Sequence, residues 1–108
     1  MLQVHTVAIE MIREIKPLID RIARHDRSLA KQIRESASSV ALNIGEAARS
    51  RAGHELERFG TAAGSASETR SALLVAAAWG YITEEDRCPV DDKLDRVAAM
   101  LWRLTHRS

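Results

Sequence analysis

The sequence predicts an all-α protein folded as an antiparallel, up-down-up-down four-helix bundle, in a single domain over residues 1–108. Three observations carry that expectation. Apolar residues recur at alternating spacings of three and four in four separate stretches, as on the buried face of a helix. Short breaks join the long stretches, which forces neighbours to run antiparallel. Two prolines and five glycines in 108 residues leave room for long helices.

The first helix is expected over about residues 3–24. Val4, Ala8, Met11, Ile15, Leu18 and Ile22 make its inner seam. Pro17 falls inside that pattern and predicts a kink, or two shorter helices meeting there, because it removes a backbone donor. His25, Asp26 and Ser28 mark the first turn, with Asp26 as N-cap. The second helix then runs to about residue 49, with Leu29, Ile33, Ala37, Val40, Ile44 and Ala47 inward. Leu42 lies on nearly the opposite face.

The break at residues 50–53 leads into a third helix over about residues 54–79, stopped by Gly80. Gly60 and Gly64 sit inside it. Each costs roughly 1 kcal/mol against alanine, so a tight helix crossing is expected there as the offset. The fourth helix starts either beside Thr83 and its following acids or at Pro89. Val90, Leu94, Val97, Leu101 and Leu104 form its seam, and Trp102 lies well off it. Both long middle segments use Ala, Ser and Gly where a usual core would use Leu and Phe. Undersized side chains there predict close backbone approach.

Charge is nearly balanced, with 16 basic and 15 acidic side chains and a net charge of +1. That argues against a uniformly basic nucleic-acid coat but permits a local patch. Cys88 is the single cysteine, so no intrachain disulfide can form, and a reduced, cytoplasmic setting fits. The first residues lack the pattern of a signal peptide. No apolar run reaches the ~20 residues that span a bilayer.

The ordered residues Gln32-Ile33-Arg34, Ser36 to Ser39 and Asn43-Ile44-Gly45-Glu46 carry a family resemblance. So do Glu57 to Phe59, Gly64-Ser65, Glu68 and Gly80-Tyr81. Over about residues 26–104 the chain resembles the small four-helix-bundle proteins encoded by intervening sequences within bacterial 23S rRNA genes. It also resembles the related accessory variability determinant (Avd) proteins of diversity-generating retroelements. The resemblance implies a homo-oligomer, a ring-like pentamer, and in the retroelement branch an association with RNA, DNA or a reverse transcriptase. The chain departs from the family at Glu35, where a second arginine is usual, and in the placing of its glycine at Gly45.

Residue by residue, the expected role is a non-enzymatic scaffold or adaptor. Asn43, Glu46, Glu68 and Arg70 read as a polar network at bundle or subunit contacts. Leu42, Trp102 and the small-residue face with Gly60 and Gly64 are candidate subunit contacts. Lys31, Arg34, Arg49, Arg51 and Arg58 are a candidate phosphate-binding patch near the second connection, with a solvated, locally paired face as the plainer alternative. No aromatic residues interleave with them for base stacking.

Arg49 and His54 also match an Arg-x4-His spacing found in HEPN ribonucleases. There His54 would act as base and Arg49 would stabilise phosphate charge. One such spacing is expected by chance in so arginine-rich a chain. No cofactor, metal-ligand set or nucleophile motif is present in the sequence.

Overall fold

Four helices account for nearly the whole of the computed structural model, which describes residues 2–50 and 53–106. They are α1 (Gln3–Ala23), α2 (Arg27–Arg49), α3 (Glu55–Ala78) and α4 (Glu84–Thr105). Each packs on its chain neighbour, and α1 closes the bundle against α4. Cross-helix pairs give the directions. Ser36 meets Thr69 and Ser39 meets Ser65, so α2 and α3 run antiparallel. Arg21 meets Asp86 while Glu10 meets Lys93, so α1 and α4 do too. The molecule measures 43 × 21 × 19 Å.

The core is aliphatic. Met11, Ile15, Ile22, Ile33, Ile44, Leu73, Leu94 and Leu101 are its largest buried side chains. The expected seams of α1 and α4 are buried as read, except that Leu104 is only half-buried, as is Leu29 on α2. Helices α2 and α3 are the most closely apposed pair. Ala30, Ala37, Ala41 and Ala47 of α2 and Ala62, Ala66, Ala72 and Ala76 of α3 are all buried in the core. Small side chains allow this approach, and a hydroxyl ladder fills the seam. Thr69 Oγ1 donates to Ser36 Oγ at 2.8 Å, and Ser36 Oγ donates to the Ile33 carbonyl at 3.2 Å. Ser39 and Ser65 share a hydroxyl bond of 2.8 Å. Asn43 Nδ2 donates to the Ser39 carbonyl at 2.9 Å and to its hydroxyl at 3.0 Å.

Helix ends follow local chemistry. The Asp26 carboxylate accepts the Leu29 N–H at 2.9 Å, as an N-cap should. Thr83 and Asp86 form a reciprocal capping box that starts α4 at Glu84. Helix α3 ends in a Schellman motif. The Tyr81 N–H reaches the Ala76 carbonyl at 3.0 Å, the Gly80 N–H reaches Ala77 at 2.9 Å, and Gly80 has φ +80°.

The alternatives left open at the two prolines resolve, and one expectation is corrected. Helix α1 runs unbroken through Pro17, with no split into two helices. Pro17 and Arg13 are both exposed, so the carbonyl left without its donor faces water. Pro89 lies inside α4 and does not begin it. Gly60 and Gly64 mark no tight crossing within the protomer, because a Cβ at either would meet nothing within 4 Å.

Candidate nucleic-acid interface

The groove between α1 and α2 concentrates positive charge. Arg27, Lys31 and Arg34 recur at i, i+4 and i+7, which puts them on one flank of α2. That flank packs beside Arg13 and Lys16 of α1. Two adjoining hollows of about 290 and 300 Å³ share Ile19 and Arg34. Their floor is Ile12, Ile15, Ile19, Ala23, Ala30 and Ala37, and no acidic side chain lines either one. Among the described residues, Arg13, Arg27 and Arg34 have no ion-pair partner. Lys16 reaches Asp20 at 3.1 Å and Lys31 reaches Glu35 at 3.8 Å, both exposed contacts. Such pairs are worth little and exchange readily.

This arrangement regroups the basic residues named from sequence. Lys31 and Arg34 lie in the groove. Arg49 lies 18 residues beyond Lys31 on the same helix, roughly 27 Å away at 1.5 Å per residue. Its guanidinium bonds Glu46 at 3.3 Å and approaches Gly45, where His5 of α1 also packs. Arg58 is exposed in the first turn of α3, and Arg51 lies outside the described residues. The basic residues are therefore not one patch at the second connection. Arg13, Lys16 and Arg27 were missed. The Arg27/Lys31/Arg34 spacing was a readable signal, but the α1 contribution arises only through packing.

The other polar residues have separate surroundings. Arg70 makes a bidentate bond to Asp91, at 2.9 and 3.1 Å, and reaches Asp95 at 3.3 Å. These carboxylates, with the Asp91 hydrogen bond leading, raise the guanidinium above its ordinary value against the cost of burial. Arg87 also contacts Asp91, at 3.5 Å, so this cluster ties α3 to α4. Asn43 belongs to the hydroxyl ladder, and Glu68 is exposed.

Leu42 is 67% exposed on the outer face of α2. Trp102 is exposed on the flank of α4 that carries Asp91 and Asp95, and it stacks on His106 with centroids 4.2 Å apart. His54 has no side-chain hydrogen bond among the described residues, and Arg49 is engaged with Glu46. Among the described residues, no contact couples Arg49 to His54.

The outer face of α3 is the second notable surface. Gly60, Gly64, Ser67, Ser71, Leu74, Val75 and Ala78 are all exposed along it. No helix of the described residues is long and apolar enough to cross a membrane.

These features define, among the described residues, a small helical-bundle protein with a cationic groove and an outer helix face of mostly small and apolar side chains around Glu68. The chain belongs to the 23S rRNA-intervening sequence protein family, whose model matches residues 1–103. The match takes in the whole of α1, beyond the segment where the resemblance was readable. Among solved structures, the chain is similar to a protein of unknown function from the S23 ribosomal protein family of Bacteroides thetaiotaomicron. The TM-score is 0.87 at 21% identity, over 96% of this chain and 99% of that one. At that identity the likeness establishes the fold alone. No curated protein matches the chain.

Proposed function

We propose that the protein is a non-catalytic, self-associating scaffold that holds a nucleic-acid backbone along the α1–α2 groove. The observation that carries this reading is the groove lining of five cations and no acid, three of the cations without an ion-pair partner among the described residues. An apolar floor keeps those side chains at the rim, where a row of phosphates can displace water and counterions. The two adjoining hollows follow α1 from Ile12 to Ala23, beside a row of three α2 cations. RNA is the first probe, because the family takes its name from sequences within 23S rRNA.

Self-association is supported by α3. Two glycines inside a helix each cost roughly 1 kcal/mol, and no neighbour within the protomer repays them. A second copy docking closely on this face would supply the missing contact, and the family resemblance implies a pentameric ring. Leu42 and Trp102 remain the outlying contact candidates.

The test is an RNA titration at two salt concentrations, with the assembly mass measured by light scattering. Affinity that falls steeply with salt, in a defined oligomer, is expected. A clean monomer at micromolar concentration contradicts the scaffold. No binding at low ionic strength contradicts the nucleic-acid role.

A further inference from the structure

At one end of the bundle the α1–α2 and α3–α4 turns bring three aromatic rings into a row. His25 stacks on Tyr81 with centroids 4.9 Å apart and planes 5° from parallel. Tyr81 in turn lies 6.4 Å from Trp79, with planes 16° apart. The Schellman turn at Gly80 makes this possible by reversing the chain between the two α3–α4 rings. Trp79 is 69% exposed. An indole held nearly parallel to its neighbours and left open to solvent is a stacking surface.

The row adjoins the cationic groove. His25 stands between Arg24 and Arg27, both exposed and without an ion-pair partner among the described residues. Arg27 also lines the groove with Lys31 and Arg34. The first turn of α4 lies at this same end, where Glu84 is bonded by Arg87 and Asp86 by Arg21. Arg24 and Arg27 are the cations nearest the row, and Asp26 between them is held in the α2 cap by the Leu29 N–H.

We infer that the Trp79–Tyr81–His25 row is a base-stacking site for an unpaired nucleotide of a single strand whose phosphates engage Arg24, Arg27 and the groove. The inference rests on the nucleic-acid reading above and adds strand selectivity to it. Backbone contacts alone take single strands and duplexes alike. A stacking ring needs a base face that a duplex keeps covered.

Emission is read in a Trp102→Phe background, so that it reports Trp79 alone, while affinities and assembly mass are measured in the protein that keeps Trp102. A short single-stranded RNA and a duplex of equal phosphate number are titrated in parallel. The single strand is expected to quench Trp79 emission saturably and the duplex to leave it unchanged. Trp79→Ala should weaken single-strand binding about tenfold, from loss of one stacked base, and leave duplex affinity and assembly mass as they were. Trp79→Phe should retain most of the affinity.

Equal binding of both nucleic acids, unaffected by Trp79→Ala, overturns the stacking site and leaves the groove reading intact. No binding of either overturns both. A change in assembly mass with Trp79→Ala, without a strand-selective loss, makes the row a subunit contact and overturns the stacking site.

Discussion

Thr69 shows how one side chain is constrained from two directions. It is fully buried, and its hydroxyl touches both Ser36 and the Ser65 carbonyl at 2.8 Å. Val has nearly the same shape but no hydroxyl. Thr69→Val should destabilise the fold by about 1 kcal/mol, measured by urea unfolding, and unchanged stability would contradict the ladder's role. Thr83 caps α4, so Thr83→Ala should cost roughly 0.5–2 kcal/mol, seen as a lower melting temperature.

The same cap sets a pH dependence. The Thr83 backbone N–H holds the Asp86 carboxyl below its usual value, with the Thr83 side chain and Arg21 adding to the effect. A carboxyl depressed in the folded state contributes stability that is fully present above its unfolded value. That contribution is lost as pH falls through the lower folded value. Asp86→Asn should therefore flatten part of the acid limb of a stability–pH profile and leave the alkaline limb unchanged.

These caps were legible because capping is local. Asp26 and Gly80 could be placed from their neighbours alone. Arg70 was legible only as a charge in need of a partner. Its partners, 21 and 25 residues away, required the packed fold.

Among elements, α3 is the least amphipathic, with small or apolar residues on its outer face as well as its inner one. Gly64→Ala adds a Cβ that meets nothing in the protomer. It should therefore stabilise the isolated fold by up to ~1 kcal/mol. If a second copy packs there, Gly64→Leu should reduce the assembly mass without loss of helical signal. Unchanged mass would remove this face as the contact.

The pair also separates two ways of reading glycine. Its helix cost was plain in the sequence, but which neighbour comes close was not. Helix α1 carries a related lesson. Pro17 left a kink and a split both open, and the helix is not split: its orphaned carbonyl faces water. The basic patch failed for a geometric reason. Grouping residues by nearness to a turn ignored the rise of α2, which separates Lys31 from Arg49, and could not anticipate Arg13 and Lys16 arriving from α1.

Across the whole molecule a net charge of +1 conceals segregation. The α1–α2 groove gathers cations. Helix α4 begins with three acids and carries Asp91, Asp92 and Asp95 further along. Of these acids, Asp86, Asp91 and Asp95 are ion-paired with Arg21, Arg70 and Arg87, whereas Arg13, Arg27 and Arg34 have no ion-pair partner among the described residues. Self-association would then repeat the groove around an assembly, so that one strand could meet several copies and gain avidity.

The most direct test compares the salt dependence of single-stranded RNA binding for the unaltered protein and for Arg27→Ala/Lys31→Ala/Arg34→Ala. Arg96→Ala on α4 serves as the control. Loss of three phosphate contacts should make the slope of log affinity against log salt shallower by about 2, with the control unchanged. Parallel slopes for all three proteins, at equal assembly mass, would contradict the assignment of nucleic acid to the α1–α2 groove.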